Sequence, residues 1–377
     1  MKKSTDSSSN STNSGSSYVT DRRKEWEEKR RLEKEKEIEE QKRILREMEE
    51  EKKGKITEFL NSHPPSRIKA ELEEYVIDQP ELTKAVADFL YYQALRYKFP
   101  ELPSRPMLIA GPSGSGKTEV WRVAKKLYSQ FFNCIIISAC SITSDGWAGS
   151  NKLANYLTPH ASHSILIFDE ADKLFSPRYS IGGVNTSADI QSEFLKFIEE
   201  KEYTIRGKNE IDFVIKNLGV VFVGAFERIR EAKTQPVGQS IGFGSQPTEQ
   251  PPYQGIVTDD LLEYGVISEL VGRIATICNT KPITREQCLG IILNSKSRLT
   301  VITELLAEHG IDAWKELPDE RIIQIIEESD FETFGVRGVL SKIETIMLDS
   351  IHEHGLVQAP ENASEKPETR DNEITLI

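Results

Sequence analysis

PMLIAGPSGSGKT, residues 106–118, runs from an apolar segment into a glycine-rich turn. From Gly111 it reads Gly111-Pro112-Ser113-Gly114-Ser115-Gly116-Lys117-Thr118, a complete G-x-x-x-x-G-K-S/T phosphate loop. Each part has a physical task. The glycines let backbone N–H groups curl around a phosphate, and the helix that follows aims the positive end of its dipole at the same charge. Lys117 is expected to neutralise the outer phosphates and Thr118 to ligate Mg2+. The context suits the motif: PMLIA is strand-like, and a helical pattern runs from Thr118 to Ser129.

A second apolar run, SILIF at 164–168, ends in Asp169-Glu170-Ala171-Asp172. Acids at the end of a buried strand, in the same open sheet as the phosphate loop, lie at the edge where such folds bind ligands. Asp169 is expected in the Mg2+ shell and Glu170 as the group that activates the attacking water, which implies hydrolysis of ATP. The alternative for Glu170 is a surface carboxylate at a helix start. The letters DEAD also invite a helicase reading. No other helicase motif accompanies them, and no basic, aromatic-rich stripe for a single strand is present.

Working outward, short apolar strands alternate with helical patterns: PMLIA, CIIISA, SILIF and VVFVGAF, with helices from Lys117, around Asn151 to Leu157 and around Ile190 to Glu200. This alternation predicts an α/β domain, a parallel sheet with helices on both faces. After about Thr280 the pattern turns to amphipathic helices and predicts a smaller helical domain, closed by a short strand at NEITLI. Residues 1–20 are rich in Ser and Asn and are expected to be disordered. Residues 21–54 read as a charged helix, either solvated or docking a partner, and apolar spacing over Trp26, Leu32 and Ile38 fits no heptad. The expected division is therefore 1–20 tail, 21–54 charged helix, 55–279 α/β ATPase domain and 280–377 helical lid.

Composition narrows the function classes. Hydrophobic residues make up 38% and charged residues 29% of 377, a polar balance to which the N-terminal segments contribute. Net charge is −12, which gives no global support for nucleic-acid binding. Cys134, Cys140, Cys278 and Cys288 form no Cys-x-x-Cys pair, so no zinc ribbon is readable, and a reducing, cytoplasmic setting fits them. No apolar stretch reaches the roughly 18 residues of a membrane span. The start, MKKSTDSSSN, has no apolar core of a secretory signal.

The order of these motifs, over roughly residues 56–377, resembles the ClpX family of AAA+ protein unfoldases. The resemblance starts at EYVIDQPELTKAV, where Val76 and Ile77 match the adenine-contacting residues and Asp78 replaces the family's glycine. DDLLEYGVISELVGRI resembles the family box that carries the arginine finger, with Arg273 at that position and Ser268 in place of a proline. FGVRGVL resembles the second sensor and puts Arg337 there. A finger that acts in trans requires a ring, and the resemblance implies a homo-hexamer.

Two loops bear on substrate and partner. In DGWAG, Trp147 and Ala148 take the places of the family's polypeptide-gripping pore pair; the alternative is a buried core tryptophan. SPRYSIGGVNTS lies where the second pore loop falls, with Arg178 and Tyr179 as candidates. In VGQSIGFGSQP, Ile241, Gly242 and Phe243 resemble the family's tripeptide that docks on a ClpP-type peptidase ring; the alternative is a loop tip folded onto its own domain. The resemblance implies an unfoldase that threads protein substrates into that peptidase. The alternatives are a peptidase-independent remodeller and a nucleic-acid-associated AAA+ ATPase. The family's zinc-binding domain rests on Cys-x-x-Cys pairs, which this sequence lacks.

Overall fold

The computed structural model describes residues 14–142, 164–179, 182–183, 185–199, 202–206, 212–234, 255–294, 296–308 and 310–354. Its strands are β1 (Met107–Ala110), β2 (Cys134–Ser138), β3 (Ile165–Asp169), β4 (Glu202–Arg206), β5 (Asp212–Lys216), β6 (Gly219–Gly224) and β7 (Thr276–Asn279). Five form a parallel sheet in the order β2-β3-β6-β1-β7, and β4 and β5 form a separate antiparallel hairpin.

The strands read as unbroken apolar runs because both faces of the sheet are covered. Side chains alternate across it. Leu108, Leu166, Phe168, Val220 and Phe222 enter one core with Phe175 and Phe194. Ile109, Ile165, Ile167, Val221 and Val223 enter the other with Trp121 and Val86. The Phe168 and Phe222 rings stack at 5.7 Å, and Phe194 meets Phe222 edge-on at 5.3 Å. Each fully buried side chain of this size contributes about 1.5–3 kcal/mol of transfer free energy. The sheet is thus held at its centre, beneath the edge that carries the polar residues.

Register decides what meets at that edge. Ala110 is opposite Gly224 and Asn279, and Ser138 is opposite Asp169. The strand ends therefore line up along one edge, with the phosphate loop leaving β1 and the acids leaving β3 on either side of the end of β6.

The N-terminal helix spans Ser14–Ser62. It begins inside the stretch expected to be disordered, and the expected division between 54 and 55 falls within it. Gly54 costs about 1 kcal/mol relative to alanine in a helix interior. Strong helix formers surround it, and the end of the helix is anchored. Ile56 and Phe59 are buried, and the Phe59 ring lies 4.9 Å from Phe132 and 5.1 Å from Phe131. Farther back, Trp26, Leu32, Ile44 and Met48 are exposed.

The C-terminal region is mainly helical: Arg285–Leu293, Leu299–Glu308, Ala313–Glu316, Asp319–Glu328 and Phe331–His354. Thr284 and Gln287 cap the first of these reciprocally: Gln287 N–H donates to Thr284 Oγ1 at 3.2 Å, and Thr284 N–H donates to Gln287 Oε1 at 2.8 Å. A separate core of Cys288, Ile292, Leu299, Ile322, Val339 and Ile343 holds the helices together. The segment NEITLI and the helix expected at Asn151–Leu157 lie outside the described residues.

Candidate active site

A cavity of about 680 Å3 opens where the sheet edge faces the helical region. Gly114, Lys117, Thr118, Asp169, Glu170 and Arg337 are among its lining residues, as are Val76 and Ile77. The phosphate loop needs its glycines here. Gly114 and Gly116 have φ of +76° and +84°, the left-handed region that suits a residue without Cβ. At Gly111 a Cβ would stand 2.0 Å from Thr280 Oγ1, so no other residue fits without displacing the chain.

Lys117 is buried, and its Nζ donates to the carbonyls of Gly111 at 2.8 Å and Pro112 at 2.6 Å. Burial pushes its pKa down to about 8, with Arg230 and Arg337 adding to the shift and Asp169 and Asp172 opposing it. An anionic phosphate in the cavity would supply the countercharge this ammonium lacks. Ser115 shares a 2.6 Å hydrogen bond with Thr280, the residue that follows β7. Thr280 carries no motif of its own, and only the pairing of β7 with β1 brings it to the loop.

Thr118 Oγ1 donates to Asp169 Oδ2 at 3.0 Å. This hydroxyl–carboxylate pair is a hard oxygen donor set suited to Mg2+, which takes few protein ligands beside substrate phosphates. Glu170 follows at φ +59°, with its N–H donating to Asp169 Oδ1 at 3.0 Å. Its carboxylate is exposed and accepts from Lys173 Nζ at 2.9 Å and Cys140 Sγ at 3.3 Å. The Lys173 hydrogen bond first, then that of Cys140, hold it below the usual carboxylate range. Asp172 is buried instead, and the backbone N–H groups of Ala225 and Phe226 donate to it. It ties the helix after β3 to the end of β6, so the last letter of DEAD has a structural task here.

The residues expected at the adenine also lie at the cavity: Val76 is buried and Ile77 partly so. Asp78 adopts φ +56°, so the aspartate takes a left-handed turn of the kind a glycine usually occupies. Across the cavity, Gly335 breaks its helix at φ 55°, ψ −153°. A Cβ there would stand 3.1 Å from the Ser113 carbonyl. That close approach brings Arg337 over the phosphate loop. Arg273 is not among the lining residues; its Nη2 donates to Glu199 Oε1 at 2.5 Å on the surface. Arg178 and Tyr179 lie on an exposed loop beyond Phe175, with Tyr179 70% exposed. Trp147, Ala148, Ile241, Gly242 and Phe243 lie outside the described residues.

Residues 107–236 match the AAA family, described as ATPase family associated with various cellular activities. With the phosphate loop and the acids at the end of β3, this defines an ATP-binding AAA ATPase. Within that class the chain is ClpX-like. It is 27% identical over 315 residues to ATP-dependent Clp protease ATP-binding subunit ClpX 2 of Wolinella succinogenes, covering 77% of each chain. It is 28% identical over 327 residues to the ClpX of Treponema denticola, again covering 77% of each chain. Identity to the ClpX of Bacteroides thetaiotaomicron is 26% over 321 residues, with the same coverage of both. No described helix is long and apolar enough to cross a membrane.

Proposed function

We propose that this ATPase is a protein unfoldase that works as a homo-hexameric ring and threads protein substrates into a ClpP-type peptidase. One observation carries the reading: Arg337 lines the cavity of its own chain, whereas Arg273 stands outside it on Glu199. A phosphoryl-transfer site gains most from cations aimed at the charge that develops on the γ-phosphoryl oxygens. An arginine outside its own site has that use only for a neighbouring copy, and a ring supplies each copy with a neighbour.

In this reading Lys117 and the loop N–H groups bind the phosphates. Thr118 and Asp169 hold Mg2+, which neutralises phosphate charge when bound. Glu170 takes the proton of the attacking water. Arg337 comes from the helical region, so its reach to the phosphate varies with the angle between the two regions. That dependence converts nucleotide state into movement. Trp147 and Ala148 grip the polypeptide, because an aromatic between glycines packs on any side chain without sequence-specific hydrogen bonds. Ile241, Gly242 and Phe243 anchor the ring on the peptidase. The relatives are named as Clp protease ATP-binding subunits, which supports this partner, and the net charge of −12 supports protein over nucleic acid as substrate.

The test is a pull-down and degradation assay with the ClpP-type peptidase of the same cell, ATP and a folded, tagged reporter. The chain is expected to bind the peptidase and support degradation. An Ile241→Ala/Phe243→Ala variant is expected to keep ATPase activity and lose both. Unfolding of the reporter without any peptidase binding would establish the peptidase-independent remodeller instead.

A further inference from the structure

The helix Thr186–Glu199 spans the distance between the chain's own site and Arg273. At its start, Thr186 N–H donates to the Arg178 carbonyl at 2.9 Å and Ser187 Oγ donates to the Leu174 carbonyl. Both acceptors lie just beyond Glu170 in the chain. At its end, Glu199 holds Arg273. Between them Gln191 has no solvent exposure. The two hydrogens of its Nε2 are shared among the Gly265 carbonyl at 3.2 Å, Ser187 Oγ at 3.4 Å and the Phe175 carbonyl at 3.5 Å; its Oε1 accepts from Ile267 N–H at 2.8 Å.

These contacts join two strands of the mechanism. Phe175 ends the short helix that begins directly after Glu170, and Gly265 to Ile267 lead into the turn that presents Arg273. The two segments also touch directly, since a Cβ on Gly265 would stand 2.7 Å from the Pro177 ring and 3.2 Å from the Phe175 carbonyl. A buried carboxamide that saturates backbone groups on both sides leaves neither segment free to shift alone. We infer that Gln191 is a positioning residue that couples a protomer's own acidic strand end to the arginine it offers a neighbour. This rests on the reading that Arg273 acts in trans. Removing the carboxamide leaves the half-buried Ile267 N–H and Gly265 carbonyl unpaired, and the segment before Arg273 shifts to satisfy them.

The experiment uses mixed rings. Wild-type protomers are diluted into a large excess of Glu170→Gln protomers, which are expected to turn over ATP at least about 100-fold more slowly but still present Arg273, and the turnover of the excess protomers alone is subtracted. ATP turnover per wild-type protomer is compared with that in excess Glu170→Gln/Gln191→Leu and in excess Glu170→Gln/Arg273→Ala. The Gln191→Leu mixture is expected to fall about fivefold or more, towards the Arg273→Ala level, because small misplacements of a transition-state group carry large rate costs. The wild-type protomers keep intact sites of their own, and size-exclusion of the mixed rings checks that the Gln191→Leu protomers fold and join them, so that a loss reports on the arginine they present. Glu199→Gln, on the exposed surface, serves as the second variant in the same background, with a smaller loss expected. Turnover equal to the Glu170→Gln mixture with Gln191→Leu, while the Arg273→Ala mixture is silent, would overturn the coupling through Gln191 and leave the trans arginine standing. Undiminished turnover with Arg273→Ala would overturn both.

Discussion

Thr118 and Asp169 are 51 residues apart in the chain, yet the threonine hydroxyl donates to the aspartate carboxylate at 3.0 Å. Both groups lie on one sheet edge, after strands that flank β6, and both are oxygen donors of the kind Mg2+ prefers. Thr118→Ala is expected to raise the Mg2+ concentration needed for half-maximal ATPase activity, and Asp169→Asn to lower turnover by about 100-fold, in the range of a lost charge-stabilising group. A Mg2+ titration of turnover at saturating ATP reads both. An unchanged Mg2+ requirement in the two variants would remove them from the metal shell.

Glu170 is the sole carboxylate of the segment that is both exposed and directly after Asp169. Glu170→Gln is expected to bind ATP as the parent does and to lose about 100-fold to 10,000-fold in turnover, the range for a general base. Nucleotide binding by fluorescence and phosphate release measure the two separately. Normal turnover in the variant would assign the water to another group.

Lys117 is expected to make nucleotide binding dependent on pH. Its pKa is pushed down to about 8, so the free chain loses this charge as pH rises through that value. Phosphates favour the charged form, so the ammonium regains its proton when nucleotide binds. Calorimetry at about pH 8.5 in buffers of different ionisation enthalpy is expected to show proton uptake on binding, and affinity is expected to fall as pH rises further. Lys117→Arg stays charged throughout and is expected to abolish that uptake. Equal proton uptake by parent and variant would refute the assignment.

The four cysteines differ sharply in access. Burial raises the thiols of Cys134 to about 12, Cys278 to about 11 and Cys288 to about 12, whereas Cys140 is exposed beside Glu170. A maleimide or iodoacetamide is expected to label Cys140 first and to lower ATPase activity, because the adduct occupies the space against the Glu170 carboxylate. Burial and Glu170 both raise the Cys140 thiol above its ordinary value, so labelling is expected to quicken with alkaline pH. Peptide mapping with parallel assays of Cys140→Ser, which is expected to resist inactivation, checks this. Inactivation of Cys140→Ser at the parent's rate would place the reactive thiol elsewhere.

The chemistry of this chain is written in contiguous stretches. GPSGSGKT specifies a phosphate cradle because its glycines, lysine and threonine act within a few bonds of one another. The runs around β1, β2, β3 and β6 announce buried parallel strands, since a strand covered on both faces needs apolar residues at every position. The ClpX-like order of motifs is legible for the same reason: each motif is local. β7 was not legible. ATICNT is short and mixed, and its place comes from pairing with β1, not from a pattern of its own. With it, Thr280 went unseen, although it shares a hydrogen bond with Ser115 in the phosphate loop. The continuous N-terminal helix was obscured by Gly54, whose penalty is small beside the anchoring of Ile56 and Phe59.

The sequence by itself determined which groups are proposed for phosphate, metal and water: Lys117, Thr118, Asp169 and Glu170 each follow from a motif read in a single segment. Only the tertiary structure decided which of them meet and how they are held. Register across the sheet puts Asp169 against Thr118, the broken helix at Gly335 brings Arg337 over the loop, and Gln191 joins the exit of one acidic strand to the approach to Arg273. These are contacts between residues far apart in sequence. Their existence depends on burial and on the pairing of backbone groups that no local pattern encodes.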